Sequence, residues 1–522
     1  MLGRSVGSIL DQIAQNHGPR EAVVAGDRRY TYQEYFERLR KTGRGLRSLG
    51  LEAGDRVAII CSDRLEVIDV YYGAMWANLV TVPLNPRLPE DDHAYILQSS
   101  GATALLYDGS VAERIAALAQ RVDGLQLIAA EPDAMLDGAV LLSDLTAVVS
   151  GDFGAPQADL ESPVLLAHTG GTTGRPKGVT HTHSTLLAAL YSYAFECGFE
   201  QDERCFHVTP LAHAAGFMFL PVWLKGGANY LTGGFDPPSL LAAIERERLT
   251  ASFLIPTMIY MLLNTSGISN HDLSSLRTVT YGGAPISMER LIEATKVMGP
   301  AFVQVYGQAE APGQITVLRR EDHVRALAEG DGAMLRSCGS PVLIGEVMMA
   351  DDDLNPVPDG EVGEICIRGP HVMKGYWNNP EETAISLRDG WLCTGDNGRF
   401  DPVRGVYTIV DRKKDMIISG GYNVYPAMVE RVLFAHPAVA NVAVIGVPHE
   451  KWGEAVKAVV VKRADVDVTE AQLIEFAREA AGKWSAPGSV DFVNVMPLTP
   501  SNKVDKRTLR APYWEGRDRA VN

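Results

Sequence analysis

The sequence contains no long uninterrupted apolar run. The longest, from Ala214 to Leu224, is far shorter than the ~20 residues that a helix needs to cross a bilayer. Near the N-terminus, Asp11 and Gln12 interrupt the apolar residues, so this stretch lacks the apolar core of a signal peptide. We therefore expect a cytoplasmic protein without a transmembrane segment.

Cysteine is scarce, and its spacing is uninformative. The six residues are scattered, with no CxxC pair: Cys61, Cys197, Cys205, Cys338, Cys366 and Cys393. We therefore expect neither disulfides nor a structural zinc site, and a reducing compartment. Hydrolase motifs are also missing: HExxH does not occur, and the only GxSxG, at residues 3–7, has no strand before it.

Positive charge is in deficit. The chain has 48 Lys and Arg against 64 Asp and Glu, a net charge of −16. Such a surface repels phosphate backbones and anionic lipid, which argues against nucleic-acid and membrane-surface roles. Small molecules are the expected partners, and the oligomeric state stays open, with a homodimer as one alternative.

The pattern that is present indicates a parallel sheet covered by helices. Strand-like runs at Val57–Ile60 and Thr81–Leu84 flank a helical stretch over Leu65–Trp76, which is the rhythm of a βαβ unit. The same rhythm continues through further predicted elements: strands Ala104–Tyr107, Leu125–Ala129, Val164–Ala167, Leu276–Tyr281 and Phe302–Tyr306, and helix Ser184–Tyr193.

The pattern changes after about residue 336. Short strand-like runs, Glu364–Arg368 and Val406–Val410, alternate with Asp, Gly and Pro turns, as in a barrel-like β portion. The charge cluster Asp411–Asp415 follows, and then a compact αβ pattern with helices at Ala427–Phe434 and Glu470–Ala480 and strands at Val442–Val447 and Ala455–Val461. At 522 residues the chain exceeds one ordinary core. We predict an α/β protein with a large N-terminal domain over 1–411, a boundary in the charge cluster at 412–414 and a small α+β domain over 415–522.

A glycine- and threonine-rich loop is the strongest local feature. The strand over Val164–Ala167 leads into His168-Thr169-Gly170-Gly171-Thr172-Thr173-Gly174-Arg175-Pro176-Lys177-Gly178. Glycines let backbone N–H groups wrap an anion, threonine hydroxyls add donors, and Lys177 supplies a positive charge at the exit. The loop is not a Walker A motif, because Pro176 precedes the lysine and no Ser or Thr follows it. The pattern favours a phosphate-binding loop over a plain surface loop.

This loop resembles the signature of the adenylate-forming superfamily, which includes acyl-CoA synthetases. Seven further motifs occur in that family's order: Pro210–His213, Tyr281–Pro285, Tyr306–Glu310, Thr394–Asp396, Asp411–Asp415, Gly420–Pro426 and Pro500–Val504. The resemblance covers almost the whole chain. It implies an AMP-forming acid–thiol ligase that uses ATP, Mg²⁺ and coenzyme A.

The resemblance also implies an ATP site. The β- and γ-phosphates would be held by Thr169, Gly170, Gly171, Thr172, Thr173, Gly174 and Lys177. Adenine would contact Gly282, Gly283, Ala284, Pro285, Tyr306, Gly307 and Gln308. The ribose would contact Asp396 and Arg412. Glu310, with Thr173, would hold Mg²⁺, and Lys503 would act with Lys177 and Glu310 as a catalytic group.

A second half-reaction follows from the same resemblance. The C-terminal domain would rotate about Lys414, withdraw Lys503 and present another face for thioester formation. In that state coenzyme A would lie against Gly420, Gly421, Tyr422 and Trp452. One pocket would in this way run two reactions in turn.

The predicted acid pocket comprises His213, Phe217, Gly283 and Gly307. His213 stands where amino-acid-activating relatives carry an aspartate, which argues against an amino-acid substrate. The apolar stretch Phe217–Leu220 favours a medium- or long-chain fatty acid, although these residues also fit an ordinary core. An aromatic acid, and transfer to a carrier-protein phosphopantetheine in place of coenzyme A, are the alternatives, together with a non-catalytic nucleotide-binding relative.

Two positions depart from the family pattern. Ala309 replaces the usual threonine before Glu310, and a lost hydrogen bond to phosphate there would cost about 1.5–3 kcal/mol if nothing replaced it. Asn502 replaces the usual glycine before Lys503, and Asn tolerates left-handed backbone angles. Neither change removes a charge, so we expect an effect on rate and not on the reaction.

Overall fold

The computed structural model describes residues 3–147, 154–169, 175–211, 216–463, 466–482, 485–499 and 504–515. These residues fall into two compact units. The larger unit comprises residues up to 169, 176–347 and 367–392, and the smaller unit comprises 348–366 and the chain from 393 onwards. Within the described ranges, no helix combines the length and apolar character needed to cross a membrane.

The helices are α1 Val6–His17, α2 Tyr32–Ser48, α3 Leu65–Trp76, α4 Glu90–Ser100, α5 Ala112–Ala119, α6 Leu142–Ala147, α7 His183–Glu196, α8 Gly216–Lys225, α9 Pro237–Glu247, α10 Pro256–Leu263, α11 Met288–Met298, α12 Arg320–Glu329, α13 Gly332–Leu335, α14 Pro380–Ser386, α15 Pro426–Phe434, α16 Glu470–Ala481 and α17 Lys506–Trp514.

The strands are β1 Glu21–Ala25, β2 Arg28–Thr31, β3 Arg56–Ile60, β4 Val80–Pro83, β5 Ala102–Tyr107, β6 Gln126–Ala129, β7 Val140–Leu141, β8 Pro163–Thr169, β9 Lys177–Thr182, β10 Arg204–His207, β11 Ala228–Leu231, β12 Ala251–Leu254, β13 Thr278–Gly282, β14 Phe302–Gln308, β15 Ala311–Leu318, β16 Ser340–Pro341, β17 Glu346–Ala350, β18 Val362–Arg368, β19 Gly375–Tyr376, β20 Leu387–Arg388, β21 Trp391–Asp401, β22 Val406–Arg412, β23 Ile417–Ser419, β24 Tyr422–Val424, β25 Val439–His449, β26 Gly453–Lys462 and β27 Ser489–Phe492.

Two sheets form the larger unit. The first has the order β16-β15-β14-β13-β12-β10-β11-β1-β2, and the second has the order β19-β9-β8-β4-β3-β5-β6-β7. Strands β10, β11, β12 and β13 are parallel to both of their neighbours, as are β3, β4, β5 and β6. Strand β14 is parallel to β13 and antiparallel to β15. The predicted helix-covered parallel sheets are confirmed.

Helix α3 shows why the sequence predicts this unit well. Every residue from Leu65 to Trp76 is buried, in a core that combines side chains of both sheets, such as Val23, Val57 and Ile59. A helix in which only two residues are charged, here Glu66 and Asp69, is expected to lie inside a protein. The predicted bounds of this helix agree with the structure.

The smaller unit contains a mixed sheet of its own. Its order is β24-β23-β26-β25, with β27 beside β26, and the long hairpin β25–β26 is its centre. Helices α15 and α16 contribute Val429, Leu433 and Leu473 to its core. Before this sheet in the chain, β21 and β22 form an antiparallel pair. Their register runs from Asp396 opposite Arg412 to Asp401 opposite Val406. The predicted small α+β fold is confirmed.

All six cysteines lie among the described residues, and none of them forms a disulfide. Five are buried, and only Cys393 is partly exposed. Burial raises the pKa of the thiols of Cys61, Cys197 and Cys205, which keeps them protonated. The expectation of reduced cysteines agrees with this arrangement.

Six buried histidines of the larger unit are expected to make its stability depend on acidity. Burial lowers the pKa of each to about 4: His168, His181, His183, His207, His323 and His371. Because the unfolded chain takes up protons near its ordinary pKa of 6.5, stability is full above that pH and falls as the pH drops towards 4. Each such histidine contributes about 1.4 kcal/mol per pH unit to the slope.

Urea unfolding between pH 7.5 and 4.5 measures this slope. The midpoint is expected to fall steadily below pH 6.5. Replacing His323 by Gln, which removes one titrating group from beside Tyr281, is expected to flatten the dependence by about one proton. A midpoint that stays constant across this range would contradict the assignment.

Candidate functional site

Strands β8 and β9 form the base of the glycine–threonine loop. They are antiparallel, and Thr169 is the register partner of Lys177. The two strand ends from which the loop departs are therefore adjacent, and Lys177 stands at the first position of β9. The predicted phosphate-binding residues Gly170, Gly171, Thr172, Thr173 and Gly174 lie outside the described residues.

Lys177 engages two side chains of a later segment. Its Nζ donates to Glu382 Oε2 at 2.5 Å and lies 5.2 Å from the centre of the Tyr376 ring. The Lys177 and Glu382 side chains are each 37% exposed, so the cation is in reach of a ligand as well as of its carboxylate partner.

Glu310 lies in a tight turn. Strands β14 and β15 pair through Gln308 and Ala311, so Ala309 and Glu310 are the two residues between them. The Tyr376 hydroxyl donates to Glu310 Oε1 at 2.7 Å, and the Met373 amide donates to the Glu310 carbonyl at 2.8 Å. Tyr376 therefore contacts both Lys177 and Glu310, two residues that the sequence predicts to serve ATP chemistry.

His181 contacts the backbone of this turn. The side chain is fully buried, and its Nε2 is 2.8 Å from the Ala309 carbonyl. Because burial lowers the pKa of His181 to about 4, the ring is neutral near pH 7, and Nε2 carries the proton that is donated to this carbonyl. The turn is thus fixed at its backbone, although Ala309 brings no hydroxyl of its own.

The predicted adenine residues meet at one edge of the first sheet. β13 ends at Gly282 beside Val305, and β14 carries Tyr306 and Gly307 one step further. Since the strands are parallel, their carboxyl ends lie together, as in other α/β ligand sites. A Cβ on Gly282 would lie 2.4 Å from the Val305 carbonyl oxygen, so only glycine fits there. Gly283, Ala284 and Pro285 follow as an exposed turn, and Gln308 completes the edge.

Only some residues of the predicted acid pocket are among the described residues. His213 lies outside the described residues. Phe217 is nearly buried on α8 and makes an edge-to-face contact with Tyr193, with ring centres 6.3 Å apart. Gly313 approaches both rings: a Cβ there would lie 3.2 Å from each. Gly313, which none of the motifs includes, therefore packs directly against Phe217 and Tyr193.

The residues after Phe217 belong to the hydrophobic core. Phe219 and Leu220 are fully buried, and Phe219 stacks on His207 with ring centres 4.2 Å apart. Of the stretch Phe217–Leu220, Phe217 therefore remains the residue best placed to meet a substrate.

The predicted ribose residues are neighbours in the smaller unit. Asp396 and Arg412 are register partners on β21 and β22, with Arg412 Nε 3.6 Å from Asp396 Oδ1. Asp396 is 9% exposed. Glu364 stabilises this arrangement, because its carboxylate accepts from the Gly395 amide at 2.8 Å and from Lys413 Nζ at 3.0 Å.

The predicted hinge lies in a network of buried charges. Asp411 accepts from the amides of Arg412 and Ala427, each at 2.7 Å, and burial raises the pKa of its carboxyl to about 6. Asp415 pairs with Arg510 at 2.7 Å. Burial lowers the pKa of Lys414, which lies between them in chain order.

The predicted catalytic lysine, Lys503, lies outside the described residues, as does Asn502. The residues on either side are described: Leu498 and Val504 form an antiparallel bridge, and Asp505 caps α17.

The predicted coenzyme A residues converge within the smaller unit. The Gly420 amide donates to the Trp452 carbonyl at 3.0 Å, and Gly420 and Gly421 both have positive φ angles, 58° and 82°. Tyr422 and Trp452 are 50% and 43% exposed, which leaves two aromatic faces accessible on this surface.

Two family models match the chain. The AMP-binding enzyme model matches residues 10–377, and the AMP-binding enzyme C-terminal domain model matches residues 428–503.

Similar proteins cover nearly all of the chain. A medium/long-chain-fatty-acid–CoA ligase, FadD8 of Mycobacterium tuberculosis, is 39% identical over 99% of this chain and 91% of its own length. A feruloyl-CoA synthase of an Amycolatopsis species is 41% identical over 98% of this chain and 100% of its own length. The solved structure of the amide bond synthetase McbA from Marinactinospora thermotolerans has a TM-score of 0.87 and 32% identity, covering 97% of this chain and 100% of that one.

Proposed function

The chain belongs to the AMP-binding enzyme family as an AMP-forming acyl-CoA synthetase, and from that premise we propose that it converts a medium- or long-chain fatty acid to its acyl-adenylate and then to its coenzyme A thioester. AMP and pyrophosphate are the other products. The observation that carries the proposal is the shared contact of Tyr376 with Lys177 and Glu310, which gathers a cation and a carboxylate beside the base of the loop.

The first half-reaction brings two anions together. The fatty acid carboxylate attacks the α-phosphorus of ATP, a bond to the acyl oxygen forms, and the bond to pyrophosphate breaks. Positive charge aimed at the phosphates is therefore the main catalytic need. Lys177 meets this need at the loop, and Lys503 meets it at the α-phosphate and the attacking carboxylate.

A magnesium ion fits the donors at Glu310. Mg²⁺ prefers oxygen ligands and is usually bound by one or two carboxylates together with substrate phosphates. Among the described residues, no cluster of three or more His, Cys, Asp or Glu side chains suits a metal ion, which is consistent with a site completed by the nucleotide. Bound there, the ion supplies charge to the phosphates, and Glu310, with Thr173, holds it.

We assign different residues to the adenine and to the ribose of the nucleoside. Tyr306 and the turn at Gly282–Pro285 offer an aromatic surface and backbone for adenine, with Gly307 and Gln308 at the same edge. Asp396 accepts from the ribose hydroxyls, and Arg412 assists. The register pairing of Asp396 with Arg412 supports this assignment.

The second half-reaction uses another arrangement of the same chain. The thiol of coenzyme A attacks the acyl carbonyl, and AMP leaves. We assign residues 1–411 to the adenylating domain, 412–414 to the hinge with Lys414 as pivot, and 415–522 to the mobile domain. Gly420, Gly421, Tyr422 and Trp452 form the surface for coenzyme A, which their proximity supports.

Apolar residues support a fatty acid as the substrate. Phe217, Tyr193 and Gly313 offer an apolar wall without a carboxylate. His213, Gly283 and Gly307 complete the proposed pocket. An aromatic acid is the second candidate, because the relative with 41% identity is a feruloyl-CoA synthase. The third alternative is a carrier-protein phosphopantetheine as acyl acceptor.

Pyrophosphate release across a panel of acids tests the proposal. Saturated acids of six to eighteen carbons, benzoate and ferulate are each offered with ATP and magnesium, with and without coenzyme A. We expect the highest kcat/KM for a fatty acid and thioester only with coenzyme A. A higher kcat/KM for ferulate would replace the fatty acid by an aromatic substrate.

A further inference from the structure

The segment formed by residues 373–383 contacts both Lys177 and Glu310. Tyr376 and Glu382 supply its side-chain contacts, and the Met373 amide holds the Glu310 carbonyl. None of the eight motifs identified in the sequence includes these residues. Their position raises the question of what the segment does for the two groups it touches.

Backbone hydrogen bonds fix the segment to β9. The Lys374 amide donates to the Thr180 carbonyl at 2.9 Å, and the Trp377 amide donates to the Gly178 carbonyl at 2.7 Å. Within the segment, the Tyr376 amide donates to Thr383 Oγ1 at 2.9 Å. Tyr376 is therefore held in a defined place relative to Lys177, at the start of the same strand.

The Tyr376 hydroxyl determines where the Glu310 carboxylate points. It donates to Oε1 at 2.7 Å. A tyrosine hydroxyl is a donor and a carboxylate is only an acceptor, so the direction of this hydrogen bond is fixed. Because a carboxylate is planar, holding Oε1 also fixes the direction of Oε2, the oxygen that is then presented to a metal ion.

Glu382 forms an ion pair with Lys177. The carboxylate accepts from Nζ at 2.5 Å, and the Glu382 amide is itself bound to Asn379 Oδ1 at 3.2 Å, which anchors the start of α14. An incoming triphosphate must therefore draw Lys177 away from a carboxylate, and the negative charge of Glu382 opposes the phosphates at the same place.

We propose that the 373–383 segment positions the two ATP-site residues: Tyr376 orients Glu310 for the metal ion, and Glu382 restrains Lys177 until the triphosphate displaces it. This inference rests on the proposed function, because it takes Lys177 and Glu310 as ATP-site residues. Tyr376 and Glu382 are positioning residues that act through these two groups.

Tyr376→Phe tests the first part. The change keeps the ring beneath Lys177 and removes only the donor to Glu310. The magnesium concentration that supports half-maximal ATP binding is expected to rise at least about tenfold, since a hydrogen bond to a charged group is lost. The assay is calorimetric titration of the full chain with ATP at a series of magnesium concentrations, without acid or coenzyme A.

Tyr230→Phe is the matched control. Tyr230 also donates to a glutamate, Glu21, at 2.6 Å, and it also carries a cation, that of Arg204, 5.5 Å from its ring centre. It lies on β11, with β10, β12 and β13 between it and β14. We expect an unchanged magnesium requirement. If the two Phe variants have the same magnesium requirement, the orienting role of Tyr376 is overturned.

Glu382→Gln tests the second part. Without the competing charge, the dissociation constant for ATP with magnesium is expected to fall about threefold to fivefold, the range of a partly exposed ion pair. Glu381→Gln makes the same change of charge one residue earlier, at an exposed position of the same helix, and is expected to leave binding unchanged. Equal tightening in both variants, or none in Glu382→Gln, overturns the restraint.

The binding assay separates this inference from the proposed function. If the unaltered protein binds ATP with magnesium but forms no AMP with any acid, the proposed function fails, while the four variants still decide the role of the segment. If it forms AMP and the Tyr376 and Glu382 variants match their controls, only the positioning role fails.

Discussion

Replacing Lys503 by alanine is expected to reduce acyl-adenylate formation about 10³-fold while leaving thioester synthesis from supplied acyl-adenylate within about threefold of the unaltered enzyme. The reason is electrostatic. In the first half-reaction the carboxylate and the α-phosphate are both anionic, and a preorganised cation between them stabilises charge that builds up in the transition state. In the second, the thiol attacks the neutral carbonyl carbon of the acyl-adenylate, and on our proposal the C-terminal domain has by then withdrawn Lys503.

The two half-reactions are measured separately. Exchange of labelled pyrophosphate into ATP follows adenylate formation, and thioester appearance from synthetic acyl-adenylate and coenzyme A follows transfer. Arg507→Ala, which removes one positive charge from an exposed position four residues later, serves as control and is expected to change neither. Equal losses in both half-reactions for Lys503→Ala would argue against the rotating domain.

Replacing Glu310 by glutamine has the second-largest expected effect. The amide oxygen still accepts from Tyr376, so the turn between β14 and β15 keeps its contact, but the charge that we propose to bind the metal ion is lost. We expect kcat/KM for ATP to fall about 10²-fold, the loss typical of one preorganised electrostatic group, and the magnesium requirement to rise at least about tenfold.

Magnesium titrations of initial rates check this expectation. Glu321→Gln removes one negative charge from the exposed first turn of α12 and is the control. A magnesium dependence that is unchanged in Glu310→Gln would remove Glu310 as the metal ligand, even if the rate fell.

Local patterns predicted the helices and strands well, for reasons visible in particular elements. Leu65–Trp76 is mostly apolar and is buried throughout, including its two acids, Glu66 and Asp69. The predicted strand Val406–Val410 extends two residues further, to Arg412, because the β22 backbone continues to pair with Asp396 and Asn397 on β21. Hydrophobic periodicity ends where the core ends, while backbone pairing continues to the site.

The motifs identified the residues that we propose to bind ATP, but not the side chains that contact those residues. Tyr376 and Glu310 are 66 positions apart, and Lys177 and Glu382 are 205 apart. Such contacts arise from the pairing of β19 with β9, which nothing in the local pattern specifies. The only signal was the composition of the segment, with two aromatic residues and two acids, which also fits an ordinary surface turn.

The apolar stretch after His213 was ambiguous for a different reason. Phe217 and Phe219 have the same chemistry, yet Phe219 packs inside against His207 and Trp223, while Phe217 faces Gly313. In a sequence, an apolar side chain that packs in a core cannot be distinguished from one that contacts a ligand. In the structure the two side chains differ in their exposure, which is 0% for Phe219 and 9% for Phe217.

The central claim is that a carboxylate oxygen of the substrate attacks the α-phosphorus of ATP. Supplying the fatty acid with both carboxyl oxygens as oxygen-18 tests it directly, with mass spectrometry of the nucleotide after one round of thioester formation. The attacking oxygen stays on phosphorus when coenzyme A takes the acyl group, so we expect AMP that carries one oxygen-18 atom. Unlabelled AMP, or ADP with the label in inorganic phosphate, would contradict the account.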